Sequence, residues 1–153
     1  MTRILFVCHG NICRSPMAEF IMKKLVYKNG LSQNFHIESA ATSTEEIGND
    51  IHSGAKNILL KNDVPFSKRK ARKITDSDYN NFDYLIAMDV ENIYYMQQQW
   101  NKDPCDKIKL LLSFANKDRD IRDPWYTHNF EETYNDILEG CSAFLNQILK
   151  NSK

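Results

Sequence analysis

One short stretch of this chain has the residue types and spacing for nucleophilic chemistry on an oxyanion: Cys8-His9-Gly10-Asn11-Ile12-Cys13-Arg14-Ser15-Pro16. An apolar run, Ile4–Cys8, leads into it. A helix signal leads out, with Ser15 read as the N-cap and Pro16 as the first helical residue. A tight loop between a strand and a helix start turns successive backbone N–H groups inward. The free N–H groups of the first helical turn add to them and make an anion cradle. Gly10 and Asn11 tolerate the left-handed backbone that such a loop needs. Arg14 offers a planar fork for two oxygens of a phosphate. Cys8 stands at the base of the cradle. A thiol beside a helix N-terminus and a guanidinium has its thiolate stabilised, which makes it a nucleophile aimed at the bound anion. Ser15 is placed to donate to the sulfur, and His9, Ile12 and Cys13 complete the candidate binding loop. A cysteine and an arginine at this spacing also occur by chance. The strand–loop–helix setting with Gly, Asn and Ser-Pro carries the reading.

A second constellation lies far downstream, Arg122-Asp123-Pro124-Trp125-Tyr126. Asp-Pro marks a turn or loop. A loop carboxylate beside aromatic rings suits a general acid, and Trp125 and Tyr126 can wall a slot for a flat substrate ring. Alone, this stretch reads as ordinary punctuation with packed aromatics.

The elements that must position these residues follow from patterning. Ile4–Cys8 lacks in/out alternation, as a strand covered on both faces does. Met17, Phe20, Ile21 and Leu25 continue as a helix stopped by Asn29-Gly30. Phe35–Ala40 reads as the second strand. Asp50 is the expected cap of a helix carrying Ile51, Ala55, Ile58 and Leu59. Tyr84–Met88 is the third strand, Val90–Trp100 a helix, and Lys107–Leu112 the fourth strand. Phe130, Tyr134, Ile137, Leu138, Cys141, Leu145 and Leu149 form one helical stripe. This alternation predicts an α/β fold: a doubly wound, four-stranded parallel sheet with helices on both faces and the phosphate-binding loop after the first strand. Ligands in such sheets bind beyond the carboxyl ends of the strands, which points again to Cys8.

Composition sets the bounds. The chain has 153 residues, 42% of them hydrophobic and 26% charged, with 20 Lys+Arg against 20 Asp+Glu. One domain over residues 1–153 is expected. With no net charge there is no field to draw nucleic acid or an anionic membrane. The basic run Lys68-Arg69-Lys70 with Arg72 and Lys73 reads as a solvated face. No run is long enough for a membrane span or a leader, so a cytoplasmic protein is the expectation. Its four cysteines are then thiols. No His/Cys spacing suits a metal, and neither a metal nor another cofactor is expected. A monomer is the default. His36, His52 and His128 read as surface or satisfied histidines.

With these residues in hand, the sequence resembles the low-molecular-weight protein tyrosine phosphatases over essentially its whole length. Cys8 to Pro16 resembles that family's phosphate-binding loop, and Asp123-Pro124 with two aromatics its acid loop. Ser39-Ala40-Ala41-Thr42-Ser43, Lys70-Ala71-Arg72 and Met88-Asp89 also match in order. The resemblance implies a metal-free mechanism on phosphotyrosine proteins. Cys8 attacks phosphorus, Arg14 and the loop N–H groups hold the phosphoryl oxygens, and Asp123 protonates the leaving phenolate. Asp123 then acts as base on a phosphocysteine. It also implies that Asn11 and Ser39 brace the loop. Four departures stand out. Glu45 occupies the pocket mouth where animal members carry an aromatic. Arg69 replaces a bracing histidine, His9 an apolar residue, and Trp125 the first of two tyrosines. A phosphoarginine phosphatase on the same scaffold is the alternative; members with that activity tend to carry Thr where this chain has Ile12. A thiol-coupled arsenate reductase lacks its resolving cysteines here. A non-catalytic phosphopeptide-binding module would have lost Cys8 or Asp123. Cys13, five residues from Cys8, is a candidate partner for a protective disulfide.

Overall fold

In the computed structural model, which describes residues 1–152, Ile4–Cys8 are the last five residues of strand β1 (Thr2–Cys8), and they are at most 3% exposed. Burial is complete because successive side chains enter different cores. Ile4, Phe6 and Cys8 face one cluster, Leu5 and Val7 the other. The first core is closed by α1 (Arg14–Lys28), α2 (Ser53–Lys61) and the C-terminal helix. The second is closed by α3 (Asp78–Asn81) and α4 (Val90–Gln99), with Tyr79, Met96 and Trp100. Each buried Leu, Ile or Phe contributes roughly 1.5–3 kcal/mol, so both faces of β1 are strongly held.

Strands β2 (Phe35–Ala41), β3 (Tyr84–Ala87) and β4 (Ile108–Leu110) complete a parallel sheet in the order β2-β1-β3-β4. The chain winds from β1 to β2 on one side, then crosses back to β3 on the other. The carboxyl end of β1 therefore opens at the switch point, and Cys8 is its last residue. The doubly wound, four-stranded α/β sheet predicted from patterning is present. No helix among the described residues is long and apolar enough to cross a membrane.

Several local expectations need correction. Cys13, not Ser15, precedes the first helical residue, and Pro16 is third rather than first. The Ser15 hydroxyl is engaged by the Cys8 thiol and by Asn11, so it does not cap. His52, not Asp50, caps α2, its Nδ1 accepting from Gly54 N at 3.0 Å. Asp50 instead holds Lys56 and the N–H groups of Ile51 and Arg69. The fourth strand stops at Leu110, because Leu111 and Leu112 turn through a 3-10 segment (Leu111–Ala115) into the core against the C-terminal helix. Asp123-Pro124 opens a short helix, α5 (Pro124–Thr127), rather than a plain turn. In α6 (Phe130–Asn151) Tyr134, Ile137, Cys141 and Leu145 of the expected stripe are buried and Gly140, Phe144 and Ile148 join them, while Phe130, Leu138 and Leu149 are only half-buried. Gly140 is there for closeness: a Cβ would stand 2.6 Å from Leu111 Cγ.

Candidate active site

The loop from Cys8 to Arg14 curls around the Cys8 sulfur. Asn11 has φ +59°, a left-handed turn that points its N–H back at Cys8 Sγ, 3.3 Å away. The Ser15 N–H reaches the same sulfur at 3.4 Å and the Ser15 hydroxyl at 3.0 Å. The hydroxyl accepts from Asn11 Nδ2 at 2.8 Å, which leaves its own proton to donate, and the nearby sulfur is within reach. Asn11 Nδ2 also donates to Ser39 Oγ (2.9 Å), and Ser39 donates to Glu19 Oε1 (2.6 Å). From the other side Arg72 N donates to Asn11 Oδ1, and the Arg69 guanidinium donates to the Asn11 carbonyl. The Asn11 side chain is thus filled at both ends. Thr42 N and Ser43 N, just past β2, tie down the carbonyls of Cys8 and His9 at 2.9 and 3.1 Å.

Arg14 is 2% exposed. Its Nη1 donates to Asp89 Oδ2 (2.6 Å) and to the Ile121 carbonyl (3.0 Å), while Nη2 lies 3.5 Å from Asp123 Oδ2. Burial works against the guanidinium charge, but Cys8, Asp89 and Asp123 outweigh it and raise its pKa above the ordinary value. Asp89 is itself fixed, because it caps α4 in a reciprocal box with Asn92. Asp123 is fixed the same way: Oδ1 accepts from Trp125 N at 3.0 Å as the cap of α5, which leaves Oδ2 turned toward Arg14.

These residues enclose a pocket of about 410 Å³ lined by Cys8, His9, Gly10, Ile12, Cys13, Arg14, Glu45, Glu46, Asp123, Trp125 and Tyr126. Trp125 and Tyr126 are 58% and 79% exposed and form a wall at the mouth. Glu45 faces His9 across it, Oε2 to Nε2 2.6 Å. Of the expected binding residues, Asn11 and Ser15 are buried and absent from the pocket lining, as is Ser39, which was expected only to brace the loop. They back the loop, with the N–H groups of Asn11 and Ser15 and the Ser15 hydroxyl turned toward the thiol. Cys13 lines the pocket beside them. Burial, and then the charges of Cys8 and Asp123, push its thiol up to about 12.

Sequence reasoning missed Glu46 at the mouth, Glu19 at the end of the Asn11–Ser39 chain, and Asp89 as the partner of Arg14. A carboxylate as N-cap before α4 was the available signal for Asp89. Among the described residues no group of three or more His, Cys, Asp or Glu is arranged to hold a metal ion.

The parallel α/β sheet thus ends its first strand in a cysteine whose sulfur receives the N–H groups of Asn11 and Ser15, with a buried arginine lining the same pocket. The chain belongs to the low molecular weight phosphotyrosine protein phosphatase family, whose sequence profile matches residues 3–153. It is similar to the low molecular weight protein-tyrosine-phosphatase YfkJ of Bacillus subtilis, 40% identical over 155 residues that cover 100% of this chain and 99% of that protein. The crystal structure of YfkJ superposes with a TM-score of 0.96 over 100% of this chain and 98% of that one. The human low molecular weight phosphotyrosine protein phosphatase is 40% identical over 147 residues, 93% of this chain and 92% of that protein. A Drosophila arginine phosphatase structure shares 33% identity and a TM-score of 0.88, covering 97% of this chain and 98% of that one.

Proposed function

We propose that this protein hydrolyses phosphotyrosine in proteins, and small aryl phosphates, through a phosphocysteine intermediate. The observation that carries the reading is the Cys8 sulfur. It receives two backbone N–H groups and a hydroxyl, with Arg14 buried beside it and Asp123 on the pocket wall. Substrate phosphate occupies the cradle, its oxygens on the loop N–H groups and the Arg14 fork. The Cys8 thiolate attacks phosphorus in line with the leaving oxygen, and the S–P bond forms as the P–O bond breaks. Protonated Asp123 gives its proton to the departing phenolate. The ionised carboxylate then takes a proton from water, which attacks the phosphocysteine. Inorganic phosphate leaves, and the thiolate returns. Ser15 donates to the sulfur as it departs. This scheme uses the chain's own side chains throughout, and residues 1–153 act in it as one catalytic unit.

Phosphoarginine is the second reading, favoured by the likeness to the Drosophila arginine phosphatase. Against it, Ile12 places a bulky apolar group in the pocket, and Trp125 and Tyr126 present ring faces at its mouth. Turnover of a phosphotyrosine peptide and of phosphoarginine, measured side by side, tests the assignment. A kcat/KM higher on phosphotyrosine is expected, and the reverse order would overturn it.

The same thiol carries a redox liability. Peroxide converts the Cys8 thiolate to a sulfenic acid, and condensation with the Cys13 thiol releases water and forms a disulfide. The raised pKa of Cys13 leaves little thiolate at neutral pH, so this closure is slow. After mild peroxide and then a thiol reductant, wild type should recover more activity than Cys13→Ser. Equal recovery without a Cys8–Cys13 bridged peptide would leave Cys13 as a packing residue.

A further inference from the structure

A second concavity, about 640 Å³, opens between α1 and the free side of β2. Phe20, Val26, Phe35, Ile37 and Phe66 make it apolar. Its only charged lining residues among those described are Lys23 and Lys24, and no carboxylate lines it. Lys24 is half-buried, and its ammonium donates to two neutral acceptors, the carbonyls of Asn62 (3.2 Å) and Asp63 (3.0 Å). Among the described residues no carboxylate lies within ion-pair distance of it. An ammonium has three donors, so one is left over, and a partly desolvated cation without a counter-charge attracts an anion.

Lys23 leads inward. Its ammonium lies over the Phe20 ring and donates to Glu19 Oε2 at 2.6 Å. Glu19 Oε1 accepts from Ser39 Oγ, Ser39 accepts from Asn11 Nδ2, and Asn11 also donates to Ser15, which touches Cys8 Sγ. A buried polar chain therefore joins the rim of the groove to the back of the reactive loop. Such chains transmit a change of charge at one end because each member has few other partners.

We propose that this groove binds a small amphipathic carboxylate, a medium-chain fatty acid in chemical class. Its apolar chain lies among the phenylalanines and its carboxylate on Lys24. The same carboxylate competes with Glu19 for Lys23. Glu19, less neutralised, then pulls harder on Ser39 and adds negative charge behind the loop, which opposes the thiolate. The binding site stands on the groove itself, and the coupling rests on the phosphatase reading of Cys8.

The test is an amide NMR titration with decanoate, using decanol as the uncharged counterpart. Saturable shifts of groove resonances are expected with decanoate and not with decanol. Lys24→Gln should weaken binding about tenfold, the worth of one charge-assisted contact. At saturation the Asn11 side-chain amide should move. Turnover of para-nitrophenyl phosphate should fall about fivefold or more, the low end of ordinary site-to-site coupling. Lys23→Met should still bind decanoate but leave the Asn11 amide unmoved. Absent groove shifts, equal shifts with decanol, or unchanged binding by Lys24→Gln would overturn the site. Groove shifts with a silent Asn11 amide would overturn the coupling. Binding is read without turnover, so failure of the phosphatase assay leaves this test intact.

Discussion

Asp123 combines two jobs in one side chain. Oδ1 caps α5, and Oδ2 faces Arg14 and the pocket. Asn caps as well as Asp does, so Asp123→Asn keeps the helix and removes the ionisable carboxyl, with its charge beside Arg14. Its kcat on substrates with a phenolate leaving group should fall by about 10²–10⁴. The loss should shrink with leaving groups that need no proton, and an equal loss across leaving groups would make Asp123 purely structural. Glu45 stands at the mouth against His9, with Glu46 nearby. Like charge repels an acidic peptide there. Glu45→Trp should raise kcat/KM for phosphotyrosine peptides with acidic flanks several-fold by removing repulsion and adding a ring face. Unchanged selectivity between acidic and basic peptides would show that Glu45 does not meet the substrate. The meeting of Cys8, Arg14 and Asp123 in one pocket was readable because the roles proposed for them require particular residue types at a particular junction. Asp89 and Glu19 were not, since a surface-type residue gains its partner only when distant segments meet: Arg14 is 75 positions from Asp89, and Ser39 is 20 from Glu19.

At the scale of elements, the wall of the pocket depends on how α2, α5 and α6 meet. His52, the cap of α2, stacks on Phe130 with ring centroids 5.3 Å apart and an interplanar angle of 14°. It stands nearly perpendicular to the Trp125 ring, with centroids 6.2 Å apart. His52 N also donates to the Ile12 carbonyl at 2.9 Å, so one residue joins the reactive loop to the aromatic wall. Gly54 makes room for this: a Cβ there would stand 2.5 Å from the Phe130 ring. Gly54→Ala should cost about 1–3 kcal/mol of stability by overpacking, seen as a lower denaturation midpoint at unchanged m-value. It should also raise KM more than it lowers kcat, because it displaces the wall rather than the thiol. A stable variant with unaltered KM would show that the stack is not needed to hold the wall. The sequence pattern located α1 and α2 but misplaced their starts, read α5 as a turn, and found the start of α6 at Phe130. Caps are decided by which polar side chain is left free after tertiary contacts form. Ser15 is claimed by Cys8 and Asn11, and Asp50 by Lys56 and Arg69.

For the whole molecule, the legible part was the order of apolar segments. A run buried on both faces, such as Ile4–Cys8, has few alternatives to the centre of a parallel sheet, and strand–helix alternation then fixes the winding. The shortening of the fourth strand was hidden, because Leu111 and Leu112 are as apolar as strand residues and only their packing against α6 makes them turn. The architecture converges on one atom. The sheet delivers Cys8 to the switch point, α1 supplies N–H groups, and α4 and α5 fix the carboxylates that hold Arg14. The most direct measurement is therefore on the Cys8 sulfur itself. Wild type turning over para-nitrophenyl phosphate, quenched rapidly and analysed by peptide mass spectrometry, should carry one phosphoryl group on the Cys8 peptide. Cys8→Ser should keep the fold, carry no phosphoryl group and show no turnover. Steady turnover with no phosphoryl group on Cys8, or a Cys8→Ser variant within about tenfold of wild-type activity, would contradict the account.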